Sequence, residues 1–309
     1  MDTYYNSYND DLKKKFGCRV YKVSIDAGFT CPNRDGSKGI GGCVFCDEMG
    51  SSSRTNGPAI SITDQLLKNI DVRRTRYKAQ KFIAYFQSFT NTYAPVSHLK
   101  KLYDEAIAAH PDIVGLAIST RADCVDAEKL ALMASYRSRV PYVCVEYGLQ
   151  TIHDRTLLRL NRQETHDDFV RAIQLTQALE LDHCVHVILG LPFETREDVM
   201  ATADKIAEYR IQGVKIHFLV AMERTPLAEQ YHRQSWQPLS MDETVSLTCD
   251  FLERLPPECV IYRIGGNGHP RHAIAPTWVW QKKKEVIDMV NEEFQRRGTR
   301  QGCRAGRNS

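Results

Sequence analysis

Short apolar runs alternate with longer amphipathic segments along the chain from about residue 19 to residue 255. The apolar runs are rich in Val, Ile, Tyr and Phe, and they are continuous, which is typical of strands covered on both faces. They predict six strands: Arg19–Ser24, Lys81–Phe86, Ile113–Ser119, Tyr142–Glu146, Cys184–Leu189 and Val214–Leu219. The alternation therefore predicts repeated strand–helix units.

The amphipathic segments carry apolar residues at helical spacing, and several begin with a capping-box pattern. In this pattern a Ser or Thr precedes the helix and an acidic residue follows three positions later. The predicted helices are Leu99–Ala109, Ala127–Tyr136, Asp167–Leu179 and Glu197–Ile211. The four patterns are Ser61 with Asp64, Thr165 with Asp168, Thr195 with Asp198, and Ser240 with Glu243. Each lies where the periodicity begins a helix, which supports the strand–helix alternation.

Six strand–helix units predict a parallel sheet with right-handed crossovers, and six are too few for a closed eightfold barrel. We therefore predict an α/β fold, a partial (β/α)6 TIM-type barrel over residues 1–255, with the N-terminal segment 1–18 included. Chemistry in such folds gathers at the carboxyl ends of the strands. Residues 256–309 are predicted to form a C-terminal extension with a short strand (Val260–Ile264), the segment Gly265–His272, a basic helix around 281–297 and a frayed tail.

The composition is that of an ordinary folded chain, with 42% hydrophobic and 26% charged residues among 309. The first residues, Met1–Asn6, have neither the basic nor the apolar region of a signal peptide. No stretch of 18 uninterrupted apolar residues occurs. We therefore expect a cytoplasmic protein with no membrane association.

Positive charge is distributed unevenly along the chain. The formal net charge is +3, but residues 281–309 alone hold eight Lys/Arg and four acids, or +4, which leaves −1 for the other 280 residues. Two further basic runs are Lys13–Lys15 and Arg73–Lys78. Such runs are usually solvated helix faces, and they are also the pattern that meets RNA phosphates.

Three of the ten cysteines share one glycine-rich loop directly after the first predicted strand: Cys31, Cys43 and Cys46, spaced Cys-x11-Cys-x2-Cys. Such a loop is a poor place to bury thiols for packing, so these residues are candidate metal ligands. Three thiolates leave one iron of a cubane cluster open to another ligand. With Cys18, which precedes the strand, they would instead make a four-thiolate zinc site.

The spacing resembles the radical S-adenosylmethionine (SAM) signature, with Phe45 as its aromatic residue. The widened first gap is similar to that of the Elongator catalytic subunit and a group of related bacterial radical SAM proteins. The resemblance covers roughly residues 15–255, and residues beyond them resemble the bacterial group alone. It implies a [4Fe-4S] cluster held by Cys31, Cys43 and Cys46, which cleaves SAM to a 5′-deoxyadenosyl radical. It also implies an electron donor of the flavodoxin or ferredoxin type.

Loops after later strands resemble the SAM-binding motifs of this family in the same order. By resemblance, Gln87 and Ser88 take the place of the motif that holds the SAM amino group. Arg162 takes that of the arginine that pairs with the SAM carboxylate. The full implied set of cofactor-binding residues is Phe45, Gln87, Ser88, Ser119, Arg121, Glu146, Gln150, Arg162, Ile188 and Gly190. No catalytic residue is assigned.

The sequence leaves the substrate open. The Elongator-like resemblance and the basic stretches favour RNA, with modification of a tRNA wobble uridine as the reaction, so tRNA is an expected partner. The aromatic segment Pro276–Trp280 would suit a stacked base, or would pack the last helix on the barrel. A small metabolite or peptide is the alternative substrate, and a zinc-stabilised binding module is the alternative of another class.

Overall fold

The computed structural model describes residues 4–48, 50, 60–266 and 272–306. Its strands form one large sheet and one small sheet. Within these ranges the strands are β1 (Val20–Ile25), β2 (Lys81–Phe86), β3 (Ile113–Thr120), β4 (Tyr142–Gln150), β5 (Asp182–Leu189), β6 (Gly213–Phe218), β7 (Ala221–Met222), β8 (Val260–Gly266) and β9 (Ala273–Ala275). Seven of them form a parallel sheet in the order β1-β2-β3-β4-β5-β6-β8, which curls into a half-barrel. Strands β7 and β9 pair antiparallel beyond its carboxyl edge. The predicted α/β partial barrel is confirmed, with seven strands instead of six.

Most helices cover the outer face of the sheet, while the first helix closes the amino end of the barrel. The helices are α1 (Tyr8–Phe16), α2 (Ile62–Tyr77), α3 (Val96–Ala108), α4 (Ala127–Ser135), α5 (Asp154–Arg159), α6 (His166–Ala178), α7 (Arg196–Glu208), α8 (Pro226–His232), α9 (Met241–Arg254), α10 (Trp278–Gln281) and α11 (Lys283–Arg297). Successive residues of a strand point to opposite faces, so one set of apolar side chains packs against these helices while the other set fills the barrel. In the described ranges no helix is long and apolar enough to span a membrane.

The capping patterns read from the sequence mark real helix starts. Helices α6, α7 and α9 each begin with a complete capping box, in which hydroxyl and carboxylate exchange bonds with the backbone. At α2 the hydroxyl of Ser61 accepts a hydrogen bond from the backbone N–H of Asp64 at 3.0 Å. These local bonds fix where each crossover turns back along the sheet.

The region after residue 255 differs from the prediction. Strand β8 pairs in parallel with β6 and so belongs to the barrel sheet, not to an appendage. Helix α11 packs on the core through Val286, Val290 and Phe294. The tail to residue 306 is not frayed, because Gln301 is buried and bonds the carbonyls of Pro256 and Cys259. Part of the predicted segment 265–272 and the last three residues lie outside the described ranges.

Candidate functional site

The amino end of the barrel interior is filled by apolar side chains. Val20, Ile83, Ala117 and Cys184 project inward from four strands and pack with one another. Helix α1 closes this end with Tyr8 and Leu12, and Tyr142 and Tyr262 join the cluster. Because the amino end is filled in this way, a ligand can enter only from the carboxyl edge of the sheet.

Above this floor the inward positions of the strands become polar and meet at Glu146. Its carboxylate is fully buried and accepts hydrogen bonds from Tyr85 Oη at 2.9 Å and His186 Nε2 at 2.8 Å. It also forms salt bridges with Lys215, at 3.2 Å, and with Lys22. Four strands thus direct donors at one carboxylate, which fixes the side chains of this layer.

Burial and these contacts set the charges of the layer. Burial would raise the pKa of Glu146, but Lys215 and Lys22 hold it well below the usual range. Burial lowers the pKa of His186 to about 4 and that of His217 well below 6.5, and nearby cations add to both effects. At neutral pH the layer therefore contains an ionised carboxylate and two neutral imidazoles.

A cavity of about 150 Å³ lies between this layer and the loop that follows β1. Cys31, Cys43 and Cys46 line it on the loop side, while Tyr85, His186, Lys215 and His217 line it from the strands. The loop is anchored to its neighbours by backbone bonds, from Val44 N to Leu160 O and from Leu227 N to Val44 O, both 3.0 Å. The three cysteines of this loop thus lie on one wall of the cavity.

Polar side chains contact two of the three cysteines, Cys43 and Cys46. Asn33, fully buried, donates from Nδ2 toward Cys43 Sγ at 3.7 Å, and Arg162 donates toward the same sulfur at 3.8 Å. Arg34 donates to the Cys46 carbonyl at 2.7 Å. Burial raises the pKa of the Cys46 thiol to about 11, so a thiolate there at neutral pH needs a bound metal cation.

Arg162 is held against strand β4. Its guanidinium forms a salt bridge with Glu164 at 2.7 Å and donates to the Gly148 carbonyl at 2.7 Å. A Cβ on Gly148 would lie 2.9 Å from that guanidinium, so a larger residue there would displace the Arg162 side chain from its present position. Arg121 in turn donates to the Arg162 carbonyl at 2.9 Å and pairs with both carboxylate oxygens of Asp123 at 2.8 Å. Arg162 is therefore fixed at the cavity wall.

The structure brings most of the residues implied by resemblance to one cavity. Those that line it are Phe45, Gln87, Ser119, Arg121, Gln150, Arg162 and Ile188. Gly190 lines a smaller adjoining cavity. Ser88 is buried and is not among the lining residues, and neither is Glu146, whose oxygens already accept bonds from four protein donors. Glu146 thus lies beneath the residues that line the cavity.

Sequence reasoning missed the polar layer itself, namely Lys22, Tyr85, His186, Lys215 and His217 as a group. A signal was present, since Lys215 and His217 alternate with Val214, Ile216 and Phe218 in a strand that is otherwise apolar. Polar residues at every second position of a fully buried strand indicate an inner face that meets something polar.

The lining residues fit a [4Fe-4S] cluster and SAM. Three thiols on one wall are the donor set for a cubane with an open iron. The Nε of Arg162 is buried and has no hydrogen-bond partner in the described part of the chain. A guanidinium at a cavity wall with an unused N–H is suited to a carboxylate such as that of SAM.

Two family models match long stretches of this chain. The Radical SAM superfamily model matches residues 31–206, and the Radical_SAM C-terminal domain model matches residues 211–296. The uncharacterized protein YtqA of Bacillus subtilis is 39% identical over 298 residues, 96% of this chain and 92% of its own length.

A solved structure and a second protein are less similar to this chain. The structure of the archaeal Methanocaldococcus infernus Elp3 superposes with a TM-score of 0.68 at 17% identity, covering 91% of this chain and 64% of that one, which shows the fold alone. A tRNA uridine(34) acetyltransferase of Methanocaldococcus jannaschii is 28% identical over 138 residues, 43% of this chain and 25% of its own length. Since a family model matches more than half of the chain and YtqA aligns with nearly all of it, the chain belongs to the radical SAM superfamily of enzymes, which use a [4Fe-4S] cluster and SAM.

Proposed function

We propose that Cys31, Cys43 and Cys46 hold the cluster and that the enzyme modifies RNA, a tRNA wobble uridine with a substituent at carbon 5. When bound, the cluster and SAM supply a 5′-deoxyadenosyl radical that abstracts a hydrogen atom. The chain's own contribution is the cavity, which is closed at the amino end of the barrel and so shields its contents from water.

The same cavity supports the proposed SAM contacts. Arg162 would pair with the SAM carboxylate, since its guanidinium is fixed by Glu164 and Gly148 and keeps one N–H without a partner. Gln87 and Ser119 offer polar groups at the ends of neighbouring strands, and Ile188 and Phe45 offer apolar surface for the adenine. Arg121, paired with Asp123, would act by holding the segment that carries Arg162.

The observation that carries the RNA proposal is the partial match to the tRNA uridine(34) acetyltransferase. Its 138 residues cover less than half of this chain, so the match supports a substrate class and not an identical reaction. A small metabolite or peptide is the outcome if the tests of RNA binding fail.

We do not expect the proposed RNA contacts at the C-terminal arginines or at Lys13–Lys15. Two arginines of the tail are committed to the fold: Arg297 pairs with Asp250 and Glu253, and Arg304 pairs with Glu253 at 2.9 Å. The run Lys13–Lys15 lies at the amino edge of the sheet, where Lys15 pairs with Asp182 at the start of β5. These charges are far from the opening or already neutralised, so they are poor candidates for phosphate contacts.

The start of α11 is better placed. Trp278 of α10, just before it, packs on Phe218 at the carboxyl end of β6, with ring centroids 5.8 Å apart. Lys283 and Lys284 follow at once and are exposed. They therefore lie on the side of the barrel where the cavity opens, and we assign phosphate contacts to them.

A matched pair of double variants tests this assignment. Lys283→Glu with Lys284→Glu should weaken tRNA binding and lower the dependence of log Kd on log salt by about two. Lys13→Glu with Lys14→Glu changes the net charge equally at the opposite edge and should leave tRNA affinity nearly unchanged. Equal effects of the two variants would show that only net charge matters.

The reaction itself is tested by comparing modified nucleosides of total tRNA from cells with and without the protein, using mass spectrometry. We expect one nucleoside with a C5 substituent to accumulate and another to disappear. An unchanged nucleoside profile, together with tRNA binding that is absent or insensitive to salt, would favour the small metabolite or peptide.

A further inference from the structure

His217 is a buried polar side chain in the barrel interior. It is 4% exposed, and neither ring nitrogen has a hydrogen-bond partner in the described part of the chain. It lines the large cavity beside His186, with ring centroids 5.1 Å apart. A neutral imidazole has one N–H donor and one acceptor, and leaving both unmet in a buried place is costly. The geometry therefore indicates that a ligand bonds this ring.

Lys215 offers a second donor at the same place. Its ammonium group donates to Tyr85 Oη at 2.9 Å and to Glu146 Oε2 at 3.2 Å. An ammonium has three N–H groups, so one remains, and Lys215 lines the cavity two residues from His217 on the same strand. Side chains two apart on a strand point to the same face. The two donors thus face one region of the cavity.

The charges of this region do not balance. Lys22 and Lys215 share the single carboxylate of Glu146, which leaves one positive charge in excess. Arg263, in register with Lys215 on β8, has interactions of its own and is not counted in this balance. A buried excess of positive charge is unfavourable unless an anion is bound.

The shape of the cavity limits which anion can enter. Because the amino end of the barrel is packed with Tyr8, Tyr142 and Tyr262, the region of Lys215 and His217 is a dead end. A phosphodiester, which has chain on both sides, cannot enter a dead end, whereas a terminal group can. A phosphomonoester carries nearly two negative charges at neutral pH, which exceeds the single charge left by the Lys22–Glu146–Lys215 group. A terminal carboxylate matches both limits.

We infer that Lys215 and His217 form a subsite that binds a terminal carboxylate of the substrate, deep in the barrel and opposite the cysteine wall. This inference rests on the proposed function for the identity of the substrate. On that function, the carboxylate is the terminal group of the C5 substituent of the uridine. The subsite would then place the carbons of that substituent between the strands and the cluster loop. The subsite selects substrates by charge.

The subsite itself is tested with propionate and its neutral analogue propionamide, added to cluster-loaded protein that is saturated with SAM. Saturation fills the SAM carboxylate position, so that Arg162 cannot bind the probe. Propionate should raise the thermal midpoint more than propionamide does. His217→Leu should abolish this difference in thermal midpoint. His217→Gln keeps an N–H donor and should retain part of it. His232→Leu is the control, because His232 is exposed on α8, and it should retain all of the difference. Equal midpoints with the two probes in the parent protein would overturn the subsite.

A second measurement links the subsite to RNA. Two synthetic anticodon stem-loops carry, at the wobble uridine, a C5 carboxymethyl group or the corresponding carboxamide. The carboxylate form should bind about tenfold more tightly or better, and His217→Leu should remove that preference. If propionate is selected but neither RNA binds, the subsite stands and the RNA proposal fails. If both RNAs bind equally well and propionate is not selected, the RNA proposal stands and the subsite fails.

Discussion

The carboxylate of Glu146 compensates two buried ammonium groups, so its charge should contribute strongly to stability. Glu146→Gln keeps the size of the side chain but replaces one acceptor oxygen with an NH2 group. Lys22 binds one oxygen and Lys215 the other, so either orientation of the amide sets its NH2 against an ammonium. Removing one partner from a buried ion pair costs about 3–5 kcal/mol, because the remaining charge is uncompensated.

For a chain of this size 1 kcal/mol corresponds to about 2 °C in thermal midpoint, so Glu146→Gln should lower the midpoint by about 6–10 °C. The assay is anaerobic thermal unfolding at matched iron content. Glu208→Gln is the control, because Glu208 forms an exposed pair with Lys205, and exposed ion pairs contribute little to stability.

A double variant sharpens the same prediction. Adding Lys22→Met to Glu146→Gln removes one of the two uncompensated ammonium groups, so the loss should be smaller than the sum of the two single losses. A Glu146→Gln midpoint within 2 °C of the Glu208→Gln midpoint would refute the view that the layer depends on this charge.

Three further outcomes are expected. Replacing any one of the three loop cysteines with Ala should abolish iron binding and the brown colour, measured by iron assay and visible spectrum. Cys18→Ala should not, because Cys18 packs at the amino end of the barrel. Loss of colour in Cys18→Ala would contradict the ligand assignment. Arg162→Ala should weaken SAM binding by about 1.5–3 kcal/mol in calorimetry while Arg159→Ala, exposed on α5, leaves it unchanged. The free energy of unfolding should fall as the pH decreases from 6.5 toward 4, because the fold lowers the pKa of His186 to about 4 and so favours its neutral form. The stabilisation from neutral His186 is complete above pH 6.5 and amounts to about 3 kcal/mol. His186→Gln should therefore lose less stability between pH 6.5 and pH 5 than the parent protein does.

Local chemistry was enough to predict the alternation of strands and helices. The six strands from β1 to β6 and the capping boxes of α6, α7 and α9 depend on residues close together in the chain, so periodicity and spacing reveal them. The same holds for the cysteine loop, where three thiols follow one strand. A partial parallel barrel follows from these elements because crossovers between parallel strands are right-handed.

The rest depends on contacts between residues that are far apart in sequence. The edge position of β8 is decided by its pairing with β6, and the tail arginines become structural only because Asp250 and Glu253 face them from α9. The polar layer around Glu146 is of the same kind. Each of its members is a single polar residue in an apolar strand, and only the curl of the sheet brings them onto one carboxylate. Periodicity tells which face a side chain occupies, but the charge left beside His217 depends on which faces meet, and that is decided by the tertiary structure.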